Sequence, residues 1–483
     1  MLDAERISAL LAGYTGLRVS FDDVQAAAAA LQRGYAEAGF GAVQVRLPEQ
    51  RLDAGSVRLE VVETPLRALT MEGNALSSAA NIERALPSLR AGATPNTRAL
   101  GRDLRLANEN PARRLSVDLR GAASGDAVDA IVTVQDETPW KVGAVLDTTG
   151  TPATGRLRTG FFWQHANVAD LDHVLTLQYV TSPDHLRAVS IGAANYRIPL
   201  YGWGDSVDLY GVYADVNSGV VGDFFTVRGS GSVAGLRYNQ SLPPASDIRQ
   251  RLTYAWEYRD FDNRVNTVSG AGDLVPDVAV HPLSLGYVAT WNGDGRQLDL
   301  GLNYTRNIPG GARGRAADIA AARAGANASY SIVRWSATVL QALPAEWQLR
   351  LAADGQASRD ALISGEQFGI GGHDSVRGFF EREIVNDTGH RVTVELQTPD
   401  FGGRLGPGVT AHALAFYDHG RVARNRALPG ETSETTIASA GIGLRVAIAP
   451  RYNLRVDVAR VARGAGRQRA GDESVNFSVA VAY

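Results

Sequence analysis

The 483-residue sequence predicts a transmembrane antiparallel β-barrel of about sixteen strands, preceded by two small α+β domains. Three observations carry that prediction. All seven tryptophans, Trp140, Trp163, Trp203, Trp256, Trp291, Trp335 and Trp347, lie after residue 138. Helical periodicity is confined to the residues before it. Beyond it, segments of about 10 residues alternate apolar and polar side chains and are separated by turn residues, the pattern of a strand with one apolar face.

The first part reads as two units, 1–64 and 65–137. In the first, Ser20 and Asp23 form a capping-box pair, and Val24, Ala28, Leu31 and Tyr35 fall on one helical face. Val43, Val45 and Leu47 then alternate with polar residues, as do Val57, Leu59 and Val61, giving two strands. This unit is expected to lack its opening strand. The second begins with a strand at Leu66–Met71 that ends in the turn pair Gly73-Asn74. Helices are predicted around Ala79–Leu86 and Thr97–Asn108, and strands at Arg114–Leu119 and Ala130–Val134. Helices packed on one face of a small sheet make an α+β layer.

Residues 138–483 read as the barrel. Leu252, Tyr254, Trp256 and Tyr258 alternate with Thr253, Glu257 and Arg259. The same alternation runs through Leu283–Trp291, Leu298–Tyr304, Val392–Leu396, Ile442–Ile448 and Tyr452–Val458, with turns such as Asn292-Gly293-Asp294-Gly295 between them. A soluble sandwich or propeller would also alternate. The opposite faces decide for the membrane: Arg391, Thr393, Glu395 and Gln397 in one strand, and Asn453, Arg455 and Asp457 in another, suit a wet lumen and would oppose a second core. Trp291, Tyr304, Trp347 and Tyr452 sit toward strand ends, where an interfacial girdle forms. The last residues, Val475 to Tyr483, place apolar side chains at every second position back from a terminal aromatic.

Averages over the chain conceal this order. With 48 basic and 51 acidic residues and a formal charge of −3, no net positive field exists to hold nucleic acid. At 45% hydrophobic the chain is not disordered, and with no cysteine it has no disulfide, thiolate metal site or cysteine nucleophile. The first residues, Met1-Leu2-Asp3-Ala4-Glu5-Arg6, lack the basic lead and apolar core of a signal peptide, so the start is expected to lie downstream of one. Its eight histidines are scattered, no Gly-x-Ser-x-Gly elbow occurs, and His412 reads as a pore-lining residue rather than a base. No catalytic residue, metal or cofactor is expected.

One connection stands out. Loop 359–389 has Gly369-Ile370-Gly371-Gly372-His373-Asp374-Ser375-Val376-Arg377-Gly378-Phe379-Phe380 at its centre and Asn386-Asp387-Thr388-Gly389 at its end. Connections longer than about 12–15 residues in a compact domain are usually functional. The Val376-Arg377-Gly378-Phe379 tetrad resembles the loop-tip motif of the two-partner secretion translocators of haemolysin secretion/activation type, the TpsB family within the BamA-like superfamily of outer-membrane barrels. Asn386-Asp387-Thr388-Gly389 resembles that family's Gly-Asp-x-Gly, with Asn386 in place of the first glycine. Phe416-Tyr417-Asp418 resembles its Phe/Gly-x-Asp strand motif. Leu47-Pro48-Glu49-Gln50 and Gly73-Asn74 resemble features of its two periplasmic POTRA domains, and the C-terminal alternation resembles an outer-membrane insertion signal.

The resemblance implies that the loop folds back into the lumen, with Val376, Arg377, Gly378, Phe379, Asp387 and Gly389 as gating or translocation residues. It implies that Arg377 pairs with Asp418, with Phe416 and Glu395 beside it as loop-anchoring lumen partners. Alternation agrees: with Val409, Ala411, Ala413, Ala415 and Tyr417 facing lipid, Asp418 faces the lumen. It further implies a Gram-negative outer-membrane location, POTRA domains in the periplasm, insertion by the barrel-assembly machinery, and export of a large TpsA-type exoprotein of haemolysin or adhesin type. A plugging helix and a linker would precede the first domain. A barrel-assembly factor of the same superfamily is the alternative, and a passive porin, needing neither the N-terminal domains nor the loop, a further one.

Overall fold

The computed structural model describes residues 1–483 apart from 17–18, 52–54, 123–126, 153, 187, 216–219, 222–224, 227–230, 244, 246 and 263–275. The chain divides into two compact units. One comprises Met1–Pro139 with the short segments Ala166–Val174 and Ile198–Asp205; the other comprises the remainder.

In the first unit, Asp3 caps helix α1 (Ala4–Leu11) by accepting from the Arg6 backbone N–H. Residues 4–11 are thus helical, an element missing from the sequence-based expectation. Its signal is short: Ile7, Leu10 and Leu11, which with Leu2 pack against Leu31, Tyr35 and Val43. Helix α2 (Phe21–Glu37) begins at the expected capping box, where Asp23 N donates to Ser20 Oγ at 3.2 Å and Ser20 N to Asp23 Oδ2 at 2.8 Å. Strands β1 (Gln44–Arg46) and β2 (Glu60–Val62) pair antiparallel over only three residues each. They are shorter than the alternation predicts because the Gln50 side chain takes the place of a ladder. Its amide accepts from Arg58 N and donates to Arg58 O, both at 2.8 Å.

The next elements are β3 (Leu66–Glu72), α3 (Ala79–Ala85), α4 (Thr97–Ala107), β4 (Arg113–Gly121) and β5 (Val128–Asp136). The sheet runs β3-β5-β4, with β3 parallel and β4 antiparallel to β5. Leu66, Ile82, Leu86, Leu100, Leu115 and Val132 form the core between sheet and helices. Gly73 ends β3 with φ +85°, and a Cβ there would lie 2.3 Å from Val134 O, so the Gly-Asn turn needs its glycine. The two small folds meet where Thr97 N donates to Gly39 O at 2.9 Å and the Asn96 amide to Ala38 O at 2.9 Å.

The same unit holds a tightly fastened turn. Ala169, Asp170 and Asp172 all have left-handed backbones, with φ of 55°, 56° and 61°. Such strain persists only where the surroundings over-determine it. Here buried Arg113 pairs with Asp172, Tyr201 OH donates to Asp172 at 2.8 Å, and Asn81 Nδ2 donates to Asn167 at 3.0 Å. Burial alone would push the Asp170 carboxyl up, but hydrogen bonds from Ser78, Asn167 and Asn81 outweigh it and hold it below the ordinary range. Burial, with Asp172 beside it, pushes the Tyr201 hydroxyl well up.

The second unit is a closed antiparallel barrel running from Trp140 to Ala482. Among the described residues it has sixteen strands, counting Val278–Val280 and Pro282–Gly293, interrupted at His281, as one. Connections at one end are short, such as 294–295 and 449–451; those at the other are long, including 308–330 and 358–387. That asymmetry is usual for a membrane barrel. Leu300 and Leu302, Val392, Val394 and Leu396, and Ile442 project outward as an exposed apolar surface, while Glu395, Asp418 and Asp457 on neighbouring strands are buried in the lumen. The C-terminal strand closes the circle against the first: Ser478 to Ala482 pair with Asp147 to Gly143, and Tyr483 and Val142 exchange backbone hydrogen bonds of 2.8 and 2.9 Å. Tyr483 OH also lies 3.1 Å from Tyr452 OH.

Candidate functional site: a loop latched inside the lumen

Connection 358–387 does not project outward. A two-stranded arm, Phe368–Ile370 paired with Ile384–Asn386, carries it inward, and the segment between them turns back on the barrel wall. Phe368, Ile370, Val376 and Phe379 bury against Val422, Ile437 and Val461 of the wall. This apolar seam seats the loop; the polar groups at its tip fix its position.

Arg377 is only 2% exposed. Its guanidinium engages Asp418 with two hydrogen bonds, Nε to Oδ2 at 2.7 Å and Nη2 to Oδ1 at 2.8 Å, while its backbone N–H donates to the same carboxylate at 3.1 Å. Nη1 donates to Glu395 Oε1 at 2.7 Å and reaches Asp457 Oδ1 at 3.5 Å. The guanidinium lies over the Phe416 ring, 3.4 Å from its centroid. A planar fork on two carboxylate oxygens and an aromatic face is a set of contacts lysine cannot reproduce. Asp457 is also held by Arg445 Nη2 and Arg455 Nε, each at 2.8 Å, and Arg455 pairs with Asp374 in the loop. Three arginines, Arg377, Arg445 and Arg455, thus pair with four carboxylates, Asp418, Glu395, Asp457 and Asp374, around the tip.

The strands bring these groups together by register. Thr393 pairs with Asp418 and Asp418 with Ser439, while Glu395 pairs with Phe416 and Asp457 with Gly443. Directly opposed residues share a face. Two glycines make the close approach possible. Gly378, next to Arg377, has φ +96° and sits over Val461 and Ala459. A Cβ on Gly420 would come within 3.0 Å of Val376 Cγ2.

Each expected site residue has a place. Val376, Arg377, Gly378 and Phe379 form the tip, and Phe416, Asp418 and Glu395 are its partners. Asp387 is fully buried at the loop's root, accepting from Leu362 N at 2.9 Å and Asn425 N at 2.7 Å. Gly389 corrects the expected loop end: it lies in strand Thr388–Gln397, paired with Gln356 and Val422, because the ladder begins at Thr388. The loop is therefore 358–387. His412 lies 2.9 Å from Thr398 O and fixes a turn. Sequence reasoning missed Asp457, Arg445 and Arg455 as members of the cluster, although alternation had placed Asp457 on a polar face.

The partners are not equal. Asp418→Ala removes three hydrogen bonds from Arg377, whereas Glu395→Ala removes one and leaves Arg350, itself 36% exposed, free to be solvated. The Asp418→Ala loop is expected to become protease-sensitive at lower denaturant than the Glu395→Ala loop; equal sensitivity would contradict the unequal roles.

A sixteen-stranded barrel with an apolar outer surface and an inward loop pinned by a buried arginine, following small α+β domains, has the architecture of an outer-membrane barrel. Comparison with known proteins gives the family. The sequence profile of the haemolysin secretion/activation proteins ShlB/FhaC/HecB matches residues 127–446, and that of the ShlB-type POTRA domain matches 1–64. The chain belongs to this family and is an outer-membrane transporter of two-partner secretion, with its POTRA domains on the periplasmic side. The fold is similar to that of CdiB from Escherichia coli (TM-score 0.75, 20% identity, 100% of this chain and 88% of that one). It is also similar to CdiB from Acinetobacter baumannii (0.69, 18%, 99% and 86%). BamA from Haemophilus ducreyi lacking POTRA domains 1–3 shares it more distantly (0.57, 13%, 100% and 97%). No curated protein matches the chain.

Proposed function

We propose that the chain exports one large TpsA-type exoprotein, with the Val376–Phe379 tip as the gate of its lumen. Residues 1–64 and 65–137 are read as two capture domains and 138–483 as the pore, seated in outer-membrane lipid by the barrel-assembly machinery. The unfolded exoprotein binds first to the small domains by strand addition, for which the outer strands β3 and β4 of the second sheet offer edges. It then enters the lumen, where displacement of the tip clears its path. Folding outside favours forward movement, so no catalytic group is assigned.

The buried Arg377 cluster is the observation that supports this reading most. An ion-pair cluster in the lumen is a poor way to stabilise a barrel, because desolvation offsets its attraction. As a positional latch it is well suited, since it holds one place and can be exchanged for water when the tip moves. Beside it a cavity of 420 Å³ is lined by Arg350, Asp354, Asp374, Arg391, Gln397 and Arg455, a polar surface that an extended chain can pass without sticking.

The test is a deletion strain. Its culture medium is expected to lose one large repeat-rich protein while its outer-membrane barrel proteins stay at normal levels. Depletion of many barrel proteins would instead assign an assembly factor, and no change in either would leave a passive pore.

A further inference from the structure

The loop's root is fastened by groups entirely separate from those at its tip. Glu366 is fully buried and takes Arg259 Nη1 on one oxygen at 2.6 Å and Arg334 Nη2 on the other at 3.1 Å. Asp387, also fully buried, takes Arg323 Nη2 on Oδ2 at 2.8 Å. Gln356 joins the two sides of the neck: its Nε2 donates to Glu366 O at 2.9 Å and to Asp387 O at 3.0 Å, while its Oε1 accepts from Arg334 Nε at 2.8 Å. Leu362 and Ile363 bury beside this neck against Ile319, Tyr330 and Ile332.

The wall strands involved differ as well. The wall side chains that hold the neck come from Ile248–Phe261, Ser331–Ala342 and Gln348–Ala357, with Arg323 from connection 308–330 and the Asn425 backbone N–H on Asp387, and the tip's acids come from Thr388–Gln397, Val409–Ala423 and Tyr452–Arg463. Between neck and tip stands the arm 368–370/384–386, a short ladder. Where the arm ends, both of its chains turn left-handed: Gly371 at φ +101°, Gly372 at +119° and Arg382 at +51°. Hinges are usually a few such positions that absorb a backbone change while the elements on either side stay rigid.

We infer that the loop is a tethered flap: residues 373–381 swing about Gly371-Gly372 and Arg382 while the neck at Glu366 and Asp387 stays fixed. Arg259, Arg323, Arg334 and Gln356 are then positioning residues: the arginines act through the two carboxylates and Gln356 through the backbone carbonyls of Glu366 and Asp387, none of them on the exported chain. The gate opens on the wall formed by Thr388–Arg463, and the loop does not leave the lumen as a whole. This inference rests on the tip being the gate, but the neck is tested apart from it.

The chain has no cysteine, so nitroxide labels can be placed singly or in pairs. Asp294, in the two-residue turn 294–295, serves as reference, paired with exposed Ser364 at the neck or with Asp374 at the tip, where the label gives up the Arg455 contact in every variant alike and leaves those of Arg377 in place. Pulsed dipolar distances are read on the full barrel in lipid. In Arg377→Ala the 374 distance is expected to lose its single narrow peak while the 364 distance keeps it. In Glu366→Gln/Asp387→Asn the pattern reverses: 364 broadens and 374 stays narrow. Arg323→Ala, which alters no barrel strand, is expected to broaden 364 as well, and Arg323→Lys to restore part of the peak. A group that merely stabilised the barrel would broaden both. The inference is overturned if 364 broadens together with 374 in Arg377→Ala, or if neither neck variant moves 364. A tip unmoved in Arg377→Ala would count against the gate, while the neck variants still decide the tether.

Discussion

Replacing Arg377 by alanine is expected to abolish or sharply reduce secretion while leaving an inserted, heat-modifiable barrel. The reason lies in what the change strands. Asp418, Glu395 and Asp457 are 0%, 6% and 0% exposed, and each directs an oxygen at this guanidinium. Removing one partner of a buried ion pair costs roughly 3–5 kcal/mol, because an uncompensated charge remains. That loss falls on the seating of the loop: the barrel's backbone ladders pass through none of these side chains. Arg445 and Arg455 still hold Asp457, so the stranded charge concentrates on Asp418, whose three hydrogen bonds from Arg377 all vanish or weaken.

Arg377→Lys separates charge from shape. A lysine supplies the positive charge without the fork or the flat contact with Phe416, so secretion intermediate between the native chain and Arg377→Ala is expected. Exoprotein in the medium, normalised to barrel in the outer membrane, is the measurement. Undiminished secretion by Arg377→Ala would remove the loop from the mechanism.

Much of the fold was legible because the barrel's physics is local. A strand between lipid and water must alternate, so Val392, Val394 and Leu396 against Arg391, Thr393 and Glu395 show both faces in six residues. The capping box at Ser20 and the turn at Gly73 are equally local. What stayed hidden depends on partners distant in sequence. Helix α1 has only two turns, and its apolar residues gain meaning from Leu31 and Tyr35. Strand β2 is short because Gln50 occupies the backbone of Arg58.

The candidate site divides the same way. Arg377 and Asp418 carry a motif and a parity; Asp457, 80 residues from Arg377, carries only a parity. Glu366 and Arg323 stand in no motif, and only the closed ring of strands brings them to the neck. Gly389 was misplaced by one element because a motif marks residues, whereas a strand begins where a ladder can form.

On the proposed function, export requires the tip to leave its seat on the wall, and the absence of cysteine allows the seat to be locked. A Cβ on Gly420 would lie 3.0 Å from Val376 Cγ2, a separation that puts a sulfur on one side within bonding reach of a sulfur on the other. Gly420 has no left-handed backbone, so a cysteine there introduces no strain of that kind. Arg377 and its three acids are untouched, and the single Gly420→Cys variant reads the effect of the added Cβ on Ile370, 3.2 Å away. The periplasmic side favours the oxidised form.

Secretion by Val376→Cys/Gly420→Cys, with and without a membrane-permeant reductant, is therefore the most direct test, with each single cysteine as control. Almost no exoprotein is expected in the medium while the bond is closed, with recovery toward the single-cysteine level once it is reduced. Equal secretion with the bond closed and open would show that the chain passes the barrel without moving this loop.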